Sequence, residues 1–168
     1  MRRARISVYD IVLIGVMVAA LESVKLVLSF LPNVELVTLL IILFTLAFGK
    51  KTYYAVVSFV VLEGLLYGFG IWWVMYIYTW PLLVCFTRIL RRQKDGMTFA
   101  LLSGAFGLGY GALCSIPYLF LSGVHTAFAW WVAGIPFDII HGVSNFVLML
   151  ILYKPLRKVL EYSWKKNG

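Results

Sequence analysis

Charge is scarce in this chain. Only 13% of its 168 residues are Asp, Glu, Lys or Arg, and just seven of those are acidic, against about 25% charged residues in an ordinary soluble domain. Cysteine is nearly absent too. Cys85 and Cys114 lie far apart in apolar runs, which excludes a disulfide framework and leaves two small buried hydrophobes. No G-x-x-x-x-G-K-[ST] loop occurs, so ATP hydrolysis by that route is excluded, and neither H-E-x-x-H nor a G-x-S-x-G frame is present. Ser122 and His125 share a loop, but nothing around them builds a nucleophile. No cofactor and no metal are expected.

What is there is oil. Hydrophobic residues make up 62% of the chain and the mean hydropathy is +0.94. A soluble chain of this length could not bury so much apolar surface, so the bilayer is the expected solvent. The net charge of +8 does not read as a nucleic-acid footprint, because the basic residues lie between apolar runs and form no polar basic face.

A bilayer core takes about 20 helical residues. Runs of that order are Ser7–Phe30, Val34–Phe48, Thr52–Ile71, Trp72–Leu90, Met97–Leu121 and Val124–Tyr153. Breaks fall at "FLPNVE", "FGKKTYY", "YGFGIWW", "RRQKDG" and "LSGVH". The start imitates a signal peptide, but its apolar stretch is too long and "VAALES" lacks a cleavage site, so it reads as the first span. The expected fold class is an all-α integral membrane protein, a single domain over residues 1–168 forming a six-transmembrane-helix bundle.

Fourteen of the fifteen basic residues fall on one side of that layout. Arg2, Arg3 and Arg5 precede span one; Lys50 and Lys51 follow span two. Arg88, Arg91, Arg92 and Lys94 follow span four, and Lys154, Arg157, Lys158, Lys165 and Lys166 follow span six. By the positive-inside rule both termini are cytoplasmic.

The fifteenth, Lys25, lies within span one, where a lone charge costs about 2.5–3.5 kcal/mol. With this orientation Glu22, Lys25, Glu35, Glu63, Asp138, His141 and Asn145 all fall in the outer half. Intramembrane ionisable groups face a bundle interior or a watery cavity and pair with one another, so four helices sharing them at one depth predict a polar-lined pocket open to the outside. A structural salt bridge Glu22–Lys25 and a hydrogen bond Asp138–His141 fit the spacings as well. Aromatics crowd the same level: Trp72, Trp73, Tyr76, Tyr78 and Trp80, then Phe128, Trp130 and Trp131. They suit an interfacial belt and equally the walls of a small-molecule pocket. Gly134 and Pro136 predict that "SGVHTAFAWWVAG" folds as a partly helical lid before span six. Two rows of small residues, Gly15/Ala19/Ser23 on span one and Gly104/Gly107/Gly109/Gly111/Ala112 on span five, allow close helix approach. One would pack inside and the other could dock a partner.

Taken together, the six-span layout, the Gly15/Ala19/Ser23 row and the closing "PFDIIHGVSNFVLMLILYKPLRKVL" resemble the substrate-binding (S) components of energy-coupling factor (ECF) vitamin transporters over the whole length. The resemblance implies a high-affinity binder of a vitamin or related micronutrient in the plasma membrane of a bacterial cell. Its partners would be a transmembrane scaffold (T) subunit, two cytoplasmic ATPase subunits and membrane lipids, with no nucleic acid and no catalysis of its own. It implies "SFLPNVELV" as a gate and Lys25, Glu35, Glu63, Trp72, Trp73, Tyr76, Trp131, Asp138, His141 and Asn145 as substrate-binding residues, with Gly15, Ala19 and Ser23 docking the scaffold. The carboxylates Glu35, Glu63 and Asp138 outnumber Lys25 and lean toward a ring-bearing ligand rich in amines or amides, such as thiamine or its pyrimidine precursor, or a corrinoid such as cobalamin. Two other classes fit the residues: a small intramembrane metal-dependent enzyme using Asp138 and His141, and a membrane assembly protein that binds no ligand.

Overall fold

A computed structural model describes residues 7–167, with side chains through Glu161. Arg2, Arg3 and Arg5 lie outside the described residues, as do the side chains of Lys165 and Lys166. The described residues are all helical, without a strand: α1 Val8–Leu28, α2 Val37–Phe48, α3 Lys51–Tyr67, α4 Ile71–Ile89, α5 Gly96–Leu108 and α6 Tyr110–Asn167. Two stretches, Val8–Leu28 and Gly96–Glu161, are long and apolar enough to cross a membrane. The latter is 66 residues long, several times what one crossing needs, so it must turn.

It turns where "LSGVH" predicts. Gly123 has φ 85° and ψ 173°, the one non-helical residue inside α6, and only glycine takes that conformation without strain. Contacts across the turn pair Tyr118 with Trp130 and Gly111 with Asp138. Further out they pair Gly107 with Gly142, Gly104 with Phe146 and Gly96 with Tyr153, all converging on a midpoint beside Gly123. Residues 96–122 and 124–161 are therefore the two limbs of an antiparallel helical hairpin. Gly134 and Pro136 do not break the return limb, contrary to the lid expected there. Proline inside a helix forfeits one backbone hydrogen bond, a loss that tightly packed helices tolerate.

The glycine row on the outbound limb is what lets the limbs touch. A Cβ on Gly107 would lie 2.8 Å from the Cα of Gly142. By contrast, Gly15, Ala19 and Ser23 of α1 are exposed, and a Cβ on Gly15 would meet nothing within 4 Å. Of the two small-residue rows, the one around Gly107 packs inside and the one on α1 faces outward beside α3.

α2 starts three residues later than the run Val34–Phe48 suggests, because Pro32 and Asn33 (φ 59°) hold the chain in a loop. It is also the central helix, with Leu39, Ile41, Ile42 and Leu43 buried against α3, α4 and α6. Buried Thr45, Thr79 and Thr87 hydroxyls donate to the carbonyls of Ile41, Met75 and Leu83 one turn back, so they add no unpaired polar groups. Outside the bundle, apolar side chains point away from the protein, Phe120 81% and Val8 78% exposed among them. Lys51 pairs with Asp10 and Arg88 lies over Tyr53 at one end of the bundle. Glu22, Lys25, Glu63, Asp138 and His141 gather at the other.

Candidate functional site

That second end holds a cavity of about 290 Å³. Its roof is the last residue of α1, Leu28, and the loop after it, where Ser29, Leu31, Pro32, Asn33, Val34 and Glu35 contribute. Two bonds fasten this loop to the return limb of α6. Ser144 Oγ donates to the Asn33 carbonyl at 2.8 Å, and His141 Nε2 lies 3.2 Å from Glu35 Oε1. The other oxygen of Glu35 accepts the Thr38 backbone N–H at 2.8 Å, satisfying an orphan donor at the start of α2. One glutamate thus ties the roof both to the next helix and to the last one.

The walls come from α1 (Lys25), α3 (Phe59), α4 (Tyr76, Trp80) and α6 (Tyr110, Asp138, His141). Trp72, Tyr76 and Trp80 recur every fourth residue and meet edge to face at 5.4 Å. The ladder continues through Trp80 to Tyr110 and from Tyr110 to the His141 ring at 5.1 Å. Edge-to-face rings at this spacing attract beyond their area burial and make the wall rigid.

Neither short-range pair that fitted the sequence spacing forms. Lys25 makes its ion pair with Glu63 of α3, while Glu22 accepts a hydrogen bond from Tyr67 Oη at 3.2 Å. The lysine also sits among the rings of Tyr67, Tyr76 and Trp72, 4.6 to 6.0 Å from their centroids, in cation–π range. Its side chain is 31% exposed and that of Glu63 0%, so the lysine faces the cavity and the glutamate stands behind it. Asp138 does not bond His141. Its Oδ1 accepts the Gly111 N–H at 2.9 Å, a donor left over where the helix restarts after Gly109. A side chain at 111 would occupy the space of this carboxylate.

Of the ten sequence-predicted ligand residues, Lys25, Glu35, Tyr76, Asp138 and His141 come together around the cavity. Glu63 supports Lys25 from outside it. Trp72 reaches only the lysine's aromatic surround. Trp73 turns away because its indole N–H donates to the Val60 carbonyl at 2.8 Å. Trp131 packs edge-on against Phe128, away from the lining. Asn145 is buried one turn deeper than His141, and its Nδ2 has no partner. Phe59, Trp80 and Tyr110 are wall residues absent from the predicted set. The four-residue spacing of Trp72, Tyr76 and Trp80 was the available signal for Trp80.

Two polar atoms on the wall are buried without a hydrogen-bond partner: Asp138 Oδ2 and Trp80 Nε1. Buried polar groups are nearly always paired, and an unpaired one costs about 1–3 kcal/mol. Asp138 and Trp80 both line this cavity, so its wall holds one buried acceptor and one buried donor without partners. No group of three or more His, Cys, Asp or Glu side chains suited to a metal occurs among the described residues. Comparisons with protein-family models, curated proteins and solved structures find no match.

Proposed function

We propose that this chain is a six-span membrane protein with both termini cytoplasmic, the substrate-binding subunit of an ECF-type vitamin importer in a bacterial plasma membrane. Support for membrane residence comes from two apolar stretches of spanning length and from exposed apolar side chains around the helices. The one-sided basic residues support the orientation. Binding is carried by a single observation: unpaired Asp138 Oδ2 and Trp80 Nε1 on the wall of one cavity. A ligand with an N–H for the carboxylate and an acceptor for the indole would complete both, and the rings of Tyr76, Trp80 and Tyr110 would sandwich a flat heterocycle. A cavity of about 290 Å³ lies at the small end of ligand pockets, which run to about 300–1,000 Å³, and this favours a thiamine-like or pyrimidine ligand over a corrinoid. Outward-facing Gly15, Ala19 and Ser23 suit close docking of a scaffold subunit that couples two ATPases, and the chain itself is no enzyme.

Calorimetric titration of the purified protein with thiamine, its aminopyrimidine precursor and cobalamin tests this reading. Tight binding of one of the first two is expected, weakened about tenfold by Asp138→Asn or Trp80→Phe, each removing one ligand hydrogen bond. Tight binding only of polyanions would sink the amine-bearing class. A folded protein that binds none of them and copurifies with no ATPase would instead be an assembly protein. Metal-dependent turnover lost in His141→Ala would make it an enzyme.

A further inference from the structure

A second cavity of about 560 Å³ lies at the opposite end of the bundle, between the start of α5 and the last turns of α6. Four cations ring it: Lys94, Lys154, Arg157 and Lys158. The two carboxylates there are already engaged. Asp95 accepts from Met97 N at 2.6 Å, from Thr98 N at 3.1 Å and from the Thr98 hydroxyl, capping α5. Glu161 accepts from Arg157 Nε at 2.8 Å. Lys94, Lys154 and Lys158 have no ion-pair partner among the described residues.

Arg157 is held in place. Its Nη1 donates to Tyr153 Oη and its guanidinium lies 5.4 Å from the centroid of that ring. Tyr153 is fixed in turn by stacking on Phe99 at 5.4 Å and by the bare Gly96 beside it. A guanidinium has five N–H donors, so those not facing Tyr153 and Glu161 remain for an anion. Beneath the cations the floor is apolar and open, with Met97 51% and Leu150 40% exposed, and it runs into the apolar outside of the helices. The positive-inside rule accounts for basic residues at this end. It does not account for their gathering around a groove whose floor continues toward the bilayer.

We propose that this groove binds an anionic phospholipid of the cytoplasmic leaflet. The phosphate would sit among Lys94, Lys154, Lys158 and the oriented Arg157, with an acyl chain along Met97 and Leu150. Basic pockets between helices at the cytoplasmic side suit such headgroups. The inference rests on the membrane placement proposed above and is independent of vitamin binding.

The test is delipidated full-length protein in neutral detergent, titrated with phosphatidylglycerol or phosphatidylcholine and followed by native mass spectrometry and thermal unfolding. Phosphatidylglycerol should bind and raise the unfolding temperature, and phosphatidylcholine should not. The variant Lys94→Gln/Lys154→Gln/Lys158→Gln should keep the lipid-free unfolding temperature and lose about a hundredfold in affinity, about fivefold per lysine. The matched variant Lys50→Gln/Arg91→Gln/Arg92→Gln, outside the groove, should bind as the wild type does. Equal loss in both variants, or equal binding of the two lipids, overturns the site. Stabilisation by glycerol 3-phosphate as strong as by the lipid reassigns it to a free phosphate. Binding of an acidic peptide in place of phosphatidylglycerol reassigns it to a protein contact. None of these readouts involves the vitamin, so failure here and failure of the importer reading are separable.

Discussion

Alanine in place of two different glycines should act in opposite directions. At Gly107 the new Cβ would lie 2.8 Å from Gly142 Cα and 2.9 Å from both Gly142 N and the His141 carbonyl carbon. All three are backbone atoms, which cannot swing aside as a side-chain tip can. Ordinary contact begins near 3.4 Å, so the limbs of the hairpin must part by several tenths of an ångström along the line of closest approach. Overpacking of this kind costs about 1–3 kcal/mol, offset in part by the higher helix propensity of alanine, about 1 kcal/mol. At Gly15 only the propensity gain remains, since the added methyl meets nothing within 4 Å. At about 2–4 °C per kcal/mol for a chain of this size, the net cost of about 0–2 kcal/mol means that Gly107→Ala should lower the unfolding temperature by up to roughly 8 °C. Gly15→Ala should raise it or leave it unchanged. The same displacement shifts His141 and Asp138, so Gly107→Ala should also weaken ligand binding. Thermal unfolding in detergent alongside calorimetry reads both effects. Equal destabilisation by the two substitutions would refute the assignment of the inner and outer glycine rows.

Lys25→Met should cost about 3–5 kcal/mol by leaving Glu63 buried without its partner, and Lys25→Met/Glu63→Leu should recover most of that loss in the same unfolding assay. Ser144→Ala removes one of the two bonds holding the roof. A bond worth about 1 kcal/mol predicts ligand release about fivefold faster in stopped-flow displacement, with little change in unfolding temperature. At the end of the bundle opposite the first cavity, the Thr98 hydroxyl and the backbone N–H groups of Thr98 and Met97 hold the Asp95 carboxyl below its ordinary range. A depressed folded value means that this contribution is present above the unfolded carboxyl range, about 4, and is lost as pH falls through the folded value. The gap in unfolding temperature between wild type and Asp95→Ala should therefore be constant near neutrality and close on acidification below that range. A gap unchanged at low pH would count against the cap.

The elements legible in the sequence are those marked by punctuation. Pro32 and Asn33 announced the roof loop, Gly68 and Gly70 the turn between α3 and α4, and Gly123 the hairpin, because glycine and proline act on the local backbone whatever surrounds them. Gly134 and Pro136 misled for the same reason: the packing of the return limb, invisible locally, keeps it helical. The pattern of basic residues put the polar residues at one level, and Lys25, Glu35, Tyr76, Asp138 and His141 do share one cavity. Their partners could not be read. Spacing joins Glu22 to Lys25 and Asp138 to His141, whereas the fold joins Lys25 to Glu63, Glu22 to Tyr67 and Asp138 to Gly111, which lie on other helices or the other limb. Aromatic residues were the least legible, since 17% of the chain is aromatic and a tryptophan's role depends on where its one N–H goes. Trp73 spends it on Val60, and Trp80 keeps it free.

The fastening of the roof also sets an order of assembly. Its two bonds join Asn33 and Glu35 to residues 111 and 106 positions further along the chain. During synthesis, at about 5–20 residues per second, α1 and its loop are finished long before Ser144 exists. Until the return limb of the hairpin is made and seated, the roof has nothing to close against. The chamber is therefore closed only late in synthesis, and a chain interrupted between α4 and residue 138 would carry the loop and several walls but no closed chamber.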